Sequence, residues 1–338
     1  MNYTDHDTLI ISDVQILNLL PDIGIEKARE EIIAGLVARP KYVSPKFFYD
    51  KKGSELFEEI TRLEEYYPTR TEKHILGSLF EHISMDFENL DIVELGSGDA
   101  SKIKLLLKQI PEEHHDCITY YPLDISHSAI EKSTRELSLQ FPSIKLKGIV
   151  ADFFHQLNVL PSNRRKLVCF LGSTLGNLSA EEAEEFMKLL GSEMRTGDAF
   201  ILGVDMVKDK DVLERAYNDS QGITEAFNLN ILHVINRLTG SEFNPSDFEH
   251  MSFYNPQQSR IEMHLRAVKE IDLTVPANRM SEEPVKIHFD KGERIHTENS
   301  HKFTEKKVRQ LGEWAGLNLE SVISDPKQWF SIVHFVKV

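Results

Sequence analysis

The chain has 338 residues, of which 41% are hydrophobic and 28% charged, as is usual for a globular protein of one or two domains. Its 39 basic and 54 acidic side chains give a formal net charge of −15, which disfavours nucleic acid as the main partner. The only cysteines, Cys117 and Cys169, are too few for a disulfide framework or a thiolate zinc site.

The N-terminal residues, Met1–Leu9, are polar and acidic, unlike a signal peptide. The chain contains no apolar run long enough to span a bilayer. We therefore predict a cytoplasmic protein without a membrane partner.

The first part of the chain combines predicted helices with aromatic residues. The spacing of apolar residues predicts one helix over about residues 26–38 and another over Glu55–Leu63, with Ser54 as its N-cap. Between them, the segment Pro45–Gly53 is rich in aromatic side chains, among them Tyr49.

A second aromatic segment follows, in which Tyr66 and Tyr67 stand directly before Pro68. A residue before proline is pushed towards extended geometry, so we expect this segment not to be helical. From the residues alone, packing in a core or an interface is the favoured explanation of these tyrosines and of Tyr49.

The stretch Asp91–Lys102 predicts a strand, a tight turn and the start of a helix, which is the opening unit of a doubly wound nucleotide-binding sheet. Its pattern is Glu94-x-Gly96-x-Gly98, without the lysine and hydroxyl residue of a P-loop. Glycines in such a turn let a ligand approach the backbone closely, but they are equally common as structural punctuation.

Two further strands end in acids. Asp124 closes the strand from Tyr120, where this architecture binds ribose hydroxyls, although a helix N-cap is an alternative role. Asp152 and Phe153 follow the strand Lys145–Val150 and suit an adenine amine and ring; a turn aspartate beside a core phenylalanine is the alternative.

A buried strand, Leu167–Leu171, leads into the polar loop Gly172–Asn177. Ligands of open α/β sheets bind at the carboxyl ends of the parallel strands, which makes Asn177 a candidate site residue. The alternation breaks after Val207, where helices and short strands predict an inserted domain, and it returns from Phe303 with a helix and a terminal hairpin.

The motifs together resemble the bacterial histidine Nα-methyltransferases, which form hercynine for ergothioneine biosynthesis with S-adenosylmethionine (SAM). The glycine turn is similar to the first motif of SAM-dependent methyltransferases. The resemblance covers the chain from about Ile32 onward and rests on these segments: Phe48–Asp50, Gly53–Thr61, Glu65–Glu72, Glu94–Gly98, Leu171–Asn177, Gly203–Asp209, Ala226–Asn228, Arg260–Met263 and Thr297–Ser300.

The resemblance implies a fold and a domain organisation. The fold is an α/β, Rossmann-like class I methyltransferase sheet, mostly parallel, with one antiparallel strand near the C-terminus and a second α+β substrate domain. The implied SAM-binding domain comprises residues 70–207 and 302–338, and the implied substrate-binding domain comprises residues 1–69 and 208–301.

The resemblance also implies site residues, position by position. The cofactor residues are Tyr49, Gly96, Lys102, Asp124, Asp152 and Phe153. The amino-acid carboxylate is met by Tyr66, Asn177 and Tyr217, and the imidazole by Glu298 and Ser300, with Met263 nearby. The residues that orient the reacting amine are Tyr49, Gly172 and Asn177.

Glu298 and Ser300 are two residues apart, so on a strand they point to the same side, and an acid with a hydroxyl suits the two nitrogens of an imidazole. Without the resemblance, a surface acid on a strand is the favoured explanation of Glu298. His296 and His301 flank the pair, but no matching set of metal ligands accompanies them, so we predict no metal.

The implied reaction is the transfer of three methyl groups from SAM to the α-amine of L-histidine, with S-adenosylhomocysteine (SAH) as the coproduct. Two alternatives are an N-methyltransferase of another amino acid such as tryptophan, and a SAM-binding regulatory module without catalysis. We expect a monomer with a small-molecule substrate and no nucleic-acid partner.

Overall fold

The computed structural model describes residues 8–11, 14–20, 25–277 and 283–338. Its strands are β1 Thr8–Ile11, β2 Val14–Asn18, β3 Lys41–Tyr42, β4 Leu90–Leu95, β5 Ile118–Asp124, β6 Lys145–Val150, β7 Arg165–Phe170, β8 Ala199–Asp205, β9 Phe248–Asn255, β10 Arg260–Ala267, β11 Ile271–Val275, β12 Val285–Phe289, β13 Arg294–His301, β14 Asn318–Ser324 and β15 Phe330–Val336. Its helices are α1 Ile25–Val37, α2 Lys51–Ile60, α3 Tyr67–Leu76, α4 Leu79–His82, α5 Ile103–Leu107, α6 His127–Gln140, α7 Ala180–Glu193, α8 Lys210–Ala216, α9 Ile223–Thr239 and α10 Glu305–Ala315. Within these ranges no helix has the length and apolar character needed to cross a membrane.

The chain divides into two compact units, each built from segments distant in sequence. Unit 1 comprises residues 1–21, 68–206 and 303–338, and unit 2 comprises residues 22–67 and 207–302. The sequence had assigned residues 1–69 to the substrate-binding domain, and the structure differs at the N-terminus. β2 pairs in parallel with β6 and so joins the sheet of unit 1, a pairing that no local pattern reveals.

Unit 1 is organised around a nine-stranded sheet in the order β1-β2-β6-β5-β4-β7-β8-β15-β14. The strands from β2 to β8 in this order run parallel, and β15 pairs antiparallel with both β8 and β14. This topology confirms the predicted fold class, with the antiparallel pair β1–β2 as an addition at the far edge.

The central strands of this sheet are buried on both faces. Neighbouring residues of β4 point in opposite directions, so Ile92 belongs to one hydrophobic core and Val93 to the other. Helices α3, α5 and α6 cover the first face, whereas α7 and α10 cover the second. The near-continuous apolar composition of the central strands follows from this double coverage.

Unit 2 contains a four-stranded sheet in the order β3-β13-β10-β9 and the hairpin β11–β12. The helix α9 is its central element, because buried residues lie along most of its length. It contacts α1, α2, β9 and β10.

One predicted helix start was wrong, and so was the prediction that the segment around Tyr67 and Pro68 is not helical. α2 begins at Lys51, four residues before the predicted start, because Asp50 rather than Ser54 is its N-cap and accepts a hydrogen bond from the Gly53 backbone. α3 begins at Tyr67, directly before Pro68. Proline is tolerated in the first turn of a helix, where its missing N–H leaves no hydrogen bond unmade.

Candidate functional site

The glycine turn after β4 lies at the carboxyl edge of the sheet, next to the end of β5. Gly96 and Gly98 have φ angles of 69° and 51°, in the left-handed region that favours glycine. The Gly98 backbone N–H donates to Oδ2 of Asp124 at 3.1 Å, and the Ser126 N–H donates to Oδ1 at 2.9 Å. The structure therefore brings Gly96, Gly98 and Asp124 together, as the sequence predicted for a ribose-binding edge.

Asp124 does not act as the side-chain cap of α6, because the Ser126 hydroxyl accepts from the Ala129 N–H in that role. Burial raises the pKa of the Asp124 carboxyl above its usual value, and the backbone N–H groups of Ser126 and Gly98 oppose this shift. The carboxylate is thus held in place by backbone donors.

Phe153 packs beside the same turn. A Cβ built on Gly96 would lie 3.6 Å from Cε1 of Phe153, so the ring lies against the glycine backbone. The adjacent Asp152 carboxylate accepts from the Phe154 N–H at 3.1 Å and lies 2.9 Å from Nδ1 of His155. Asp152 therefore does act as a turn aspartate, which was the alternative role. Its side chain is partly exposed, so it could still accept from an adenine amine.

Lys102 is held by a fully buried acid. Its Nζ lies 2.8 Å from Oε2 of Glu72, while Oε1 of Glu72 accepts from the Gly172 N–H at 2.7 Å. Gly203 makes room for this carboxylate, because a Cβ there would lie 2.2 Å from Oε1. Glu72 thus joins two predicted site residues, Lys102 and Gly172. The sequence analysis gave Glu72 no role, and its place in a helix offered no signal.

The loop after β7 bends sharply through Gly172 and Ser173, whose φ angles are 84° and 58°. The Ser173 hydroxyl accepts from the Asp205 N–H at 3.0 Å and ties the loop to the end of β8. Asn177 ends the 3-10 turn Thr174–Asn177 and is half-buried. Within the described residues its side-chain amide makes no hydrogen bond.

Glu94, the acid before the glycine turn, is buried and accepts a hydrogen bond of 2.5 Å from the Tyr120 hydroxyl. Burial raises the pKa of its carboxyl to about 8, although the Tyr120 bond and the charge of Lys102 act in the opposite direction. At neutral pH this carboxyl is therefore mainly protonated. It lies directly before the glycine turn as an uncharged group.

In unit 2, the predicted aromatic segments form one cluster. Its rings are in stacked, tilted or edge-to-face contact at centroid distances of 4.5–6.4 Å, and they belong to Phe48, Tyr49, Phe57, Tyr66, Tyr217 and Phe227. Tyr49 is 45% exposed, whereas Tyr217 is buried. Tyr49, Tyr66 and Tyr217 are thus brought together, and Phe57 and Phe227 connect them.

A bulge in β13 decides which face of the sheet carries Glu298. In the pairing with β10, Glu298 lies opposite Met263 and His296 lies opposite His264, so Thr297 is an extra residue. The Thr297 hydroxyl donates to Oδ1 of Asn228 at 2.8 Å. Asn228 in turn donates to the backbone oxygen of His264 at 3.0 Å, which fixes the bulge to α9.

As predicted, Glu298 and Ser300 point to one side, and Met263 lies on that side across the strands. Glu298 is only 9% exposed, so the alternative of a surface acid is excluded. Burial raises the pKa of its carboxyl to about 7, and the charge of Lys302 counteracts part of that rise.

Tyr217 and Lys302 converge on Ser300. The Tyr217 hydroxyl donates to the Ser300 hydroxyl at 2.7 Å, and Nζ of Lys302 donates to the same oxygen at 2.8 Å. The Lys302 ammonium also donates to the Tyr217 hydroxyl at 3.2 Å. The sequence analysis missed Lys302. Its signal was the spacing Glu298-x-Ser300-x-Lys302, which continues the alternation of the strand by one step.

The opposite face of β10 and β13 carries a separate ionic network around Glu262. Arg260 forms an ion pair with Glu262 at 2.8 Å, and Nε2 of His264 lies 3.1 Å from the same carboxylate. Burial alone would raise the pKa of Glu262, but hydrogen bonds from Arg260, Asn255 and His264 lower it to about 2. Burial and the neighbouring His296 lower the pKa of His264 to about 4. His296 is thus placed with Glu262 and His264 rather than with His301, and the expectation of no metal stays a prediction.

Comparison with known proteins identifies the family. A family model described as "Histidine-specific methyltransferase, SAM-dependent" matches residues 28–337. The chain belongs to this family. It is 38% identical to a histidine N-alpha-methyltransferase of Mycolicibacterium smegmatis, over 93% of this chain and 96% of that protein. It is 37% identical to the enzyme of the same name from Mycobacterium tuberculosis, over 88% and 91% of the two chains.

A third relative is ergothioneine biosynthesis protein 1 of Schizosaccharomyces pombe, which is 29% identical over 82% of this chain but only 37% of that protein. Membership of the histidine-specific methyltransferases confirms the predicted family, the predicted enzyme class and the dependence on SAM. The site residues stay predictions. The structure brings them together in two groups, one in each unit.

Proposed function

We propose that this histidine-specific methyltransferase transfers methyl groups from SAM to the α-amine of L-histidine, three times in succession, to form hercynine for ergothioneine biosynthesis. The observation that carries the substrate is the buried pair Glu298 and Ser300 on one face beside Met263. A carboxylate and a hydroxyl at this spacing meet the two nitrogens of an imidazole, whereas an indole offers a single N–H.

The residues of the cofactor group in unit 1 fit SAM by the chemistry of their donors and acceptors. Asp124, held by backbone N–H groups, presents carboxylate oxygens for the ribose diol. Phe153 and Asp152 suit the adenine ring and its amine. The open space at Gly98, where a Cβ would meet no atom within 4 Å, allows a ligand to approach the backbone.

Lys102 is the residue proposed to bind the carboxylate of the methionine part of SAM. Glu72 holds the Lys102 ammonium group in position. An ammonium has three N–H donors, and its ion pair with Glu72 leaves donors for a second carboxylate. Glu72 thus orients the cation and reduces the charge that the ligand meets.

For the amino acid, Tyr66 and Asn177 are donors for the carboxylate, whereas the Tyr217 proton is directed to Ser300 in this structure. Tyr49 and Phe57 form an aromatic wall with an edge-to-face contact at 5.7 Å. Such a wall accommodates a methylammonium group as it grows, because aromatic faces attract cations.

When bound, SAM supplies a methyl group activated by its sulfonium. Only the neutral amine can attack, so the three transfers that convert the ammonium of histidine into a trimethylammonium release three protons overall. Tyr49, Asn177 and the Gly172 carbonyl are the groups proposed to orient the lone pair and pass these protons to water. Positioning dominates the catalysis, because the leaving group needs no assistance.

The decisive test is mass spectrometry of L-histidine incubated with the purified protein and SAM. We expect products heavier by one, two and three methyl groups, with the trimethylated form dominant at completion. L-Tryptophan under the same conditions should stay unmodified. Methylation of tryptophan but not of histidine would replace the proposal with the alternative amino acid. Full histidine activity in a Glu298→Ala variant would show that this carboxyl does not select the substrate.

A non-catalytic module is distinguished by calorimetry. Because SAM and histidine react with each other, we expect an enzyme to bind histidine more tightly when SAH is present. A protein that binds SAH, does not respond to histidine and methylates nothing would support the regulatory module.

A further inference from the structure

Lys302 is a buried cation beside the imidazole-binding pair, and neither the family assignment nor the proposed function gives it a role. Its side chain is only 4% exposed. Its backbone N–H donates to the Ser259 oxygen at 2.7 Å, which fixes the chain directly after β13. Burying an ammonium is costly unless the group is held by polar partners, so its placement calls for a function.

The hydrogen bonds around Ser300 have a defined direction. An ammonium can only donate, so Lys302 must donate to the Ser300 oxygen at 2.8 Å and to the Tyr217 oxygen at 3.2 Å. Having accepted from Lys302, the Tyr217 hydroxyl donates its own proton to Ser300 at 2.7 Å.

Ser300 therefore receives two donors. A hydroxyl oxygen has two lone pairs and one proton. Both lone pairs are used by Lys302 and Tyr217, and within the described residues no acceptor takes the proton of Ser300. Ser300 is thus arranged to donate to a ligand and not to accept from one.

We propose that Lys302 is a positioning residue: it makes the site select the neutral imidazole of histidine over the imidazolium. This proposal rests on the proposed function. One ring N–H is accepted by the Glu298 carboxylate, and the lone pair of the other ring nitrogen accepts from Ser300. An imidazolium has an N–H on both nitrogens, and its second N–H would meet a serine whose lone pairs are occupied.

The groups around Glu298 support this assignment. Lys302 follows directly after the strand of Glu298, Tyr217 comes from the end of α8, and Asn228 from α9 is uncharged. On the same face, in β9, lies His250, and burial lowers the pKa of its imidazole. Across the strands the neighbour is the apolar Met263, while Glu262, His264 and His296 lie on the opposite face. The pKa of Glu298 is raised by burial to about 7 and would be higher without the charge of Lys302. The lysine therefore also favours the ionised carboxylate that accepts the ring N–H.

The test is the number of protons released when L-histidine binds. Calorimetry at pH 5.5, with SAH present, is repeated in two buffers of different ionisation enthalpy. The wild-type protein must remove the extra proton of the ring, and Glu298, whose pKa is about 7, must also lose its proton to accept the ring N–H. In Lys302→Met, one lone pair of Ser300 becomes free and can accept the second N–H, so we expect about one proton fewer to be released.

Three further variants sharpen the result. Tyr217→Phe frees the other lone pair of Ser300 and should lose about one proton as well. Lys302→Arg, which retains a donor cation, should restore wild-type release. Ser300→Ala should weaken binding at every pH without the loss of one proton, because nothing remains to accept the second N–H.

A uniform loss of affinity in Lys302→Met with unchanged proton release would overturn the proposal and leave the lysine a packing role. If Lys302→Met does not fold, Tyr217→Phe decides the question by the same measurement. The proposed function fails separately, when the wild-type protein neither binds nor methylates histidine.

Discussion

At the scale of single residues, burial sets the protonation of acids that the sequence presents as ordinary charged groups. Glu94 and Glu298 are both buried, and both have a raised pKa. They differ in their partners. Glu94 is bonded to the Tyr120 hydroxyl, whereas Glu298 has the charge of Lys302 nearby. Glu94 therefore serves as an uncharged support, whereas the charge of Lys302 favours the ionised form of Glu298, which can accept a hydrogen bond.

Glu94 makes the stability of the protein depend on pH. Its carboxyl titrates near 4.5 in the unfolded chain and near 8 in the folded protein, so between these values only the unfolded state loses the proton. Glu94 consequently lowers the free energy of unfolding by on the order of 1 kcal/mol for each pH unit from about 5 to 8.

A Glu94→Gln variant removes this titration and keeps an oxygen to accept from Tyr120. Its stability relative to wild type should therefore improve steadily as the pH rises from 5 to 8, measured by urea unfolding without ligands. The exposed Glu88→Gln, just before β4, is the control and should follow the wild-type profile. Parallel profiles for Glu94→Gln and wild type would show that the carboxyl is already ionised.

At the scale of elements, much of the fold could be predicted, because strands buried on both faces and amphipathic helices carry local patterns. The strand–turn–helix unit at Gly96 and the antiparallel strand after α10 were both predicted correctly. The ends of elements were less accessible. α2 starts early because Asp50 accepts from Gly53 and also bonds Asn230 of α9 at 2.9 Å, a partner remote in sequence.

The bulge in β13 is the element-scale feature on which the substrate pair depends. Asn228 of α9 holds it through Thr297 and the His264 backbone. Asn228→Ala should lower the free energy of unfolding by about 1–3 kcal/mol, because it leaves buried polar groups without partners. It should also weaken histidine binding about tenfold or more, while SAH binding stays near wild type.

Urea unfolding and calorimetry with each ligand measure these two effects. Gln257→Ala, at an exposed amide in the turn between β9 and β10 of the same unit, is the control and should change neither. Equal weakening of histidine and SAH binding in Asn228→Ala would indicate general unfolding instead of a displaced bulge.

At the scale of the whole molecule, the chain builds two compact units from interleaved segments. The predicted cofactor residues fall in unit 1, apart from Tyr49, and the predicted substrate residues fall in unit 2, apart from Asn177. A ligand that binds only the folded protein stabilises it by mass action, so each group of residues can be tested by its own ligand.

SAH should therefore raise the melting temperature, with a stabilisation of about 2.7 kcal/mol at a concentration 100 times its dissociation constant. Asp124→Asn should lose most of this shift, because one carboxylate oxygen and the charge are lost at the proposed ribose contact. Differential scanning calorimetry with and without SAH measures it, and Glu88→Gln should retain the full shift. An undiminished shift in Asp124→Asn would remove this residue from the cofactor group.

The sequence by itself determined the parallel sheet, the glycine turn at Gly96 and the order of the segments whose resemblance indicated the family. These features are encoded in short-range periodicity and in blocks of neighbouring residues, which can be interpreted without knowing what they contact. The resemblance also assigned Glu298 and Ser300 to the substrate.

Only the tertiary structure decided how those side chains act. The face that carries Glu298 depends on the bulge at Thr297 and on α9, and the direction of the Ser300 hydroxyl depends on Tyr217 and Lys302. Glu72 similarly reaches Lys102 and Gly172 from a helix far away in the chain. Strand register and buried hydrogen bonds join residues that are distant in sequence, so no local pattern records them.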